Sequence, residues 1–135
     1  GCMGVVRVGH AADRLLIYTY MNKMLSEKDL ITINTQFSSG AVRNKSSLQF
    51  ALAQTYRSKY WFKSMCLLAR AITIDHIFED GNKRTAAAVI MACLDMNRYD
   101  YNPDKVAEVV LAIAKKSVKD LNKIGRMIKN AIKEP

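Results

Sequence analysis

The chain is poor in the residues that break or stiffen a backbone. Two prolines and six glycines among 135 residues argue against disorder and against a β-rich fold with many tight turns. Three cysteines with no metal-ligand spacing argue against a disulfide scaffold or a zinc site and point to a reducing, cytoplasmic setting. Every long apolar run is interrupted by polar residues, so no membrane span is expected. Val5-Val6-Arg7-Val8 is too short to be the core of a signal peptide. Gly1-Cys2 ahead of Met3 reads as a cloning remnant, and residues 1–9 as a flexible lead. Acidic side chains are scarce: 12 Asp and Glu against 21 Lys and Arg leave a net charge of +9.

What is present is helical. Half of the residues are hydrophobic, enough for one core, and a single domain over 1–135 is expected. No repeat or low-complexity segment interrupts it. No alternating strand pattern occurs, so an all-α, compact helical bundle is expected. Residues 11–25 carry Leu15, Leu16, Tyr18, Met21 and Leu25 at helical spacing. Ser26-Glu27-Lys28-Asp29 is a capping-type start for a second helix to about residue 36, broken by Ser38-Ser39-Gly40. Residues 45–56 form a third helix, capped by Asn44 or Ser46. Residues 57–60 are a loop or short flap, and 61–74 a fourth helix. Asn97 to Asn102 is a loop, and Pro103, with Asn102 as cap, opens a helix to about residue 116.

The last helical stretch carries much of the positive charge. Lys115, Lys116, Lys119, Lys123, Arg126, Lys129 and Lys133 lie opposite an apolar stripe of Val118, Leu121, Ile124, Ile128 and Ile132. A solvated outer face is the plain reading; attraction to an acidic partner or to ribosomal RNA is the functional one. Cys66 and Cys93 fall within apolar helical stretches and read as small buried hydrophobes. Of the two histidines, His10 precedes the first helix and reads as structural or surface.

The other histidine opens the run His76-Ile77-Phe78-Glu79-Asp80-Gly81-Asn82-Lys83-Arg84-Thr85-Ala86, which is followed at once by an apolar stretch to residue 94. A helix N-terminus leaves N–H groups unpaired and carries a positive partial charge, so anions collect there. Gly81 allows a tight turn and close approach to a ligand. Asn82 is a favoured N-cap, with the helix starting near Lys83. Lys83 and Arg84 then sit at the end of the helix that disfavours cations, which makes sense if phosphate binds between them. Asp80 is a hard oxygen ligand suited to Mg²⁺ shared with phosphates. His76 is suited to accept a proton from a hydroxyl. Phe78 is expected to point inward and anchor the loop. The helix after the loop, apolar almost all round, belongs at the centre of the bundle. The run is neither a Walker A loop nor an EF-hand.

The run resembles the Fic/Doc family, and its Doc (death on curing) branch in particular. The pattern H-x-F-x-(D/E)-(A/G)-N-(G/K)-R is matched at His76, Phe78, Asp80, Gly81, Asn82, Lys83 and Arg84, and Thr85-Ala86 continue the Doc-like N-K-R-T-A. Gly40-Ala41-Val42-Arg43 and Leu48-Gln49-Phe50-Ala51-Leu52-Ala53 are similar to a segment upstream of the family's motif. The resemblance covers about residues 40–132. It implies a Fic/Doc-like bundle with a flap that aligns a target peptide, a role open to Tyr60 or Trp61, although packing of these rings in the core is the plainer reading. It implies transfer of the γ-phosphoryl group of ATP to a protein hydroxyl, by similarity a threonine of translation elongation factor Tu. His76 would be the general base and Asp80 the Mg²⁺ ligand. Gly81, Asn82, Lys83 and Arg84 would bind the nucleotide's phosphates.

Members that transfer AMP carry a second glycine where Lys83 stands and an arginine where Ala87 stands. AMP transfer to a protein is the alternative activity, and a non-catalytic basic module that contacts nucleic acid is a third reading. The family's inhibitory helix, (S/T)-x-x-x-E-(G/N), is not found here. A separate antitoxin acting in trans is therefore the expected partner of a Doc-like toxin.

Overall fold

A computed structural model describes residues 25–134 of the chain. The expected helix over 11–25, the lead at 1–9 and His10 lie outside the described residues, apart from Leu25, which is buried. Six helices make up the described part: α1 (Glu27–Asn34), α2 (Lys45–Arg57), α3 (Trp61–Ile74), α4 (Asn82–Met96), α5 (Pro103–Lys116) and α6 (Leu121–Lys129). Among the described residues there is no strand, only two isolated bridges, Val42 with Phe78 and Tyr101 with Ile132. The all-α expectation holds for this part of the chain, and no described helix is long and apolar enough to cross a membrane.

Local chemistry explains most helix ends. Ser26 and Asp29 form a reciprocal capping box at the start of α1. Asn44, one of the two expected caps, accepts from Ser47 N–H at the start of α2. Asn102 caps α5 with Pro103 in its first turn, and Asp120 caps α6. α1 stops at Asn34, two residues short of the expected end, where the bonding tightens: Gln36 N–H donates to the Ile33 carbonyl and Phe37 N–H to the Asn34 carbonyl, each three residues back.

α3 and α4 pack together at the centre, with α2, α5 and α6 around α3 and with α1 and α5 against α4. α4 is the central helix that its composition predicts: Ala86, Ala88, Val89, Ile90, Ala92, Cys93 and Leu94 are all buried. α3 buries a broad face including Met65, Leu68, Ala69 and Ile72. Each large side chain removed from water in this way contributes about 1.5–3 kcal/mol before entropy is counted. The Cys66 and Cys93 thiols lie in the same core, and burial pushes them up to about 11 and about 12, so they are uncharged at neutral pH.

Candidate functional site

The loop between α3 and α4 is built by backbone geometry that regular helices do not offer. α3 ends at Ile74 with Asp75 as its C-cap, and His76 takes a left-handed conformation with φ 52°. That turn sends both Ile77 and Phe78 into the core, each fully buried, while His76, Glu79 and Asp80 remain exposed. Phe78 is thus the inward anchor that was expected. Ile77 turns inward beside it, because the left-handed turn at His76 is not a strand and does not send neighbouring side chains to opposite faces.

Residues 41–44 run antiparallel beside the loop. Arg43 and Asn44 N–H donate to the Ile77 carbonyl at 2.7 and 3.0 Å, and Glu79 N–H donates to the Ala41 carbonyl at 3.0 Å. The segment that flanks the site is therefore 41–44, not the expected flap at 57–60. Residues 58–60 simply link α2 to α3 at the far end of α3, roughly 20 Å away for a helix of this length. Trp61 packs edge-on against Phe62 and tilted against Tyr99, and Tyr60 stands exposed at that far end.

Gly81, not Asn82, is the N-cap of α4. It sits at φ 76° and supplies no side-chain cap. A Cβ there would meet Asn34, Ser38 and Phe37 at 3.3–3.4 Å, in a conformation that costs an L-residue about 1–2 kcal/mol. The Asn82 side chain turns back into the loop: its Oδ1 accepts from Phe78 N–H at 3.0 Å and its Nδ2 donates to the Phe78 carbonyl at 2.8 Å. With both ends of its amide engaged, Asn82 shapes the loop, and its expected capping role is corrected.

A second amide completes the clasp, and sequence reasoning missed it. Asn34, at the end of α1, is fully buried. Its Nδ2 donates to the Asp80 carbonyl at 2.9 Å and to Thr85 Oγ1 at 3.0 Å, and its Oδ1 accepts from Gly40 N–H at 2.9 Å. One side chain thereby ties together α1, the 40–44 segment, the motif loop and α4. The available signal was its position: Leu30, Ile33, Asn34 and Phe37 share the i, i+3, i+4, i+7 spacing of the buried face of α1. A polar residue on such a stripe must find partners.

The result is an open cleft of about 460 Å³ lined by His76, Glu79, Asp80, Gly81, Asn82, Lys83 and Arg84, with Phe37 and Thr73 as its wall. All seven expected site residues lie in this one stretch of chain, and every one except the anchor Phe78 lines the cleft. Lys83 and Arg84 are exposed in the first turn of α4, where N–H groups have no intrahelical partner and no side chain caps them. His76 Nδ1 lies 3.0 Å from the Ile74 carbonyl. A carbonyl only accepts, so Nδ1 carries the proton, leaving the Nε2 lone pair to take one up. Thr73 Oγ1 is buried with no hydrogen-bond partner among the described residues.

Comparison with protein-family models, with curated proteins and with solved structures finds no match to this chain. The chemistry available is therefore what the cleft's own groups can do: bind an anion at a cationic helix start, and accept a proton beside it. Among the described residues no cluster of three or more His, Cys, Asp or Glu side chains could hold a metal by itself. A single exposed carboxylate, Asp80, does fit a Mg²⁺ ion that takes its remaining ligands from substrate phosphates and water.

Proposed function

We propose that this chain transfers the γ-phosphoryl group of ATP to a hydroxyl of a protein target, as a Doc-like member of the Fic/Doc family. The observation that carries this reading is the pairing of His76, whose Nδ1 is engaged by Ile74, with the uncapped, cation-bearing start of α4 in one cleft. The acceptor hydroxyl loses its proton to His76 Nε2 as its oxygen bonds to the γ-phosphorus. The bond from that phosphorus to the β–γ bridging oxygen breaks, and ADP leaves. Lys83, Arg84 and the first-turn N–H groups of α4 hold the charge spread over the phosphate oxygens. Asp80 would hold Mg²⁺, which neutralises phosphate charge when bound. Gly81 supplies the left-handed turn that opens α4, and the Asn82 and Asn34 clasps hold the loop in place before substrate arrives.

By resemblance the target is a threonine of elongation factor Tu, the setting is cytoplasmic, and a trans-acting antitoxin restrains the activity. The test is transfer of label in a cell extract from ATP marked at either the γ- or the α-phosphate, with His76→Ala as control. Label arriving only from the γ position, and lost in His76→Ala with an unchanged melting temperature, is the expected result. Label arriving from the α position makes the chain an AMP transferase. No transfer from either position, with and without the antitoxin's removal, leaves the basic binding module as the better reading.

A further inference from the structure

A recess of about 760 Å³ lies away from the motif cleft, between α3 and α6. Its walls carry Lys63 and Arg70 from α3, and Lys119, Arg126 and Lys129 from the α6 side. Lys63 and Arg70 are seven residues apart, so they stand on one face about 10 Å from each other along the helix. Arg126 and Lys129 sit one turn apart on the facing wall. Asp120 is the one acid in the lining, and its carboxylate is turned to the N–H groups of Asn122 and Lys123 as the cap of α6. Cations that face each other without interleaved carboxylates repel, which the fold does not need for its own stability.

The groove is narrow because α6 comes very close to α3: a Cβ on Gly125 would lie 3.2 Å from Phe62 Cε1. Aromatic rings punctuate it. Lys129 Nζ lies 5.4 Å from the centre of the Phe62 ring. Tyr60, at the rim, is 73 % exposed. Phe62 and Lys129 also line the adjoining recess of about 490 Å³, where Arg98, Lys133 and the half-exposed Tyr99 stand with two acids, Asp100 and Glu134.

We infer that the α3/α6 groove binds single-stranded nucleic acid, with the cations tracking the phosphates and Tyr60 and Tyr99 offering faces on which bases stack. A positive groove interleaved with exposed rings is the general solution for unpaired strands, since every base has a π-face. A duplex presents phosphates but keeps its bases stacked, so the rings would go unused. An acidic peptide would meet the charge, but Asp and Glu side chains carry no ring to set against the exposed Tyr60 and Tyr99. This inference is independent of the phosphotransfer reading.

The test is fluorescence anisotropy of a labelled twelve-nucleotide oligouridine against the full chain across a salt series. Lys63→Glu/Arg126→Glu/Lys129→Glu is expected to lose more than tenfold in affinity and to lower the slope of log K against log salt by about 2. The equally charged control Lys28→Glu/Lys45→Glu/Arg57→Glu, on α1 and α2, is expected to lose less than threefold. Tyr60→Ala is expected to weaken oligouridine binding by about fivefold or more and duplex RNA binding not at all. His76→Ala binds as the parent does. Circular dichroism checks each fold, and if the triple variant unfolds, Lys63→Ala/Arg126→Ala decides, with the same direction expected. Equal losses in the groove and control variants, duplex binding as tight as single strand, an unaffected Tyr60→Ala, or oligoglutamate of the same charge competing as well as oligouridine would each overturn the inference.

Discussion

Two helix starts in this molecule are built in opposite ways. α1 begins with a serine cap, two acids in its first turn and a closed capping box. Each of these features satisfies a free N–H or the helix dipole. α4 begins with a left-handed glycine, no side-chain cap and two cations. α3 also lacks a side-chain cap, so an open start alone says little. What sets α4 apart is the effort spent around it: two amide clasps, two residues in left-handed turns and a fully buried Phe78 hold a helix end that is itself left unsatisfied. The contrast teaches that stability is supplied from beneath the loop, while its upper surface is left open, as the proposed phosphate binding requires.

That contrast can be broken in order of size. Phe78→Ala removes the loop's anchor and is expected to cost about 3–5 kcal/mol in urea unfolding; a loss under 1 kcal/mol would mean that the loop is not held from the core. Asn34→Ala leaves the Asp80 carbonyl, Thr85 Oγ1 and Gly40 N–H without their partner. It is expected to cost about 2–3 kcal/mol and to speed hydrogen exchange at residues 78–85. Ser26→Ala opens the capping box of α1 at about 1 kcal/mol, visible as a lower melting temperature with no change in transfer activity. Lys83→Glu should do the reverse of all these. An acid in the first turn gains about 0.3–1 kcal/mol while phosphate binding, read by calorimetry with ATP, is lost. A Lys83→Glu variant that is less stable, or that binds ATP as before, would remove the case for an anion at this helix end.

Much of this was legible in the residues. The boundaries of α3 and α5, the caps at Ser26, Asn44 and Asn102, and the buried character of the stretch after the motif all follow from local propensity and spacing. The seven basic residues expected on the outer face of the C-terminal stretch are exposed, with Ile124 and Ile128 buried behind them. What could not be read was which partners a polar group would take. Asn82 has the ideal type for a cap, yet its amide is used on Phe78, because the left-handed Gly81 takes the capping position first. The flap was sought at 57–60, where the composition is polar, yet the segment that pairs beside the loop is 41–44, distant in sequence and close only once α1 and α2 are packed.

The sequence by itself determined the helical class of the described chain, the placing of its charge, and the clustering of a base, a carboxylate and two cations ahead of an apolar helix. These depend on periods and neighbours within a few residues, which the chain carries locally. The tertiary structure alone decided that Asn34 locks the loop, that Ile77 turns inward beside Phe78, and that α6 lies close enough to α3 to bring their cations to one groove. Each of these rests on contacts between segments more than thirty residues apart, where packing, not local preference, sets which groups meet.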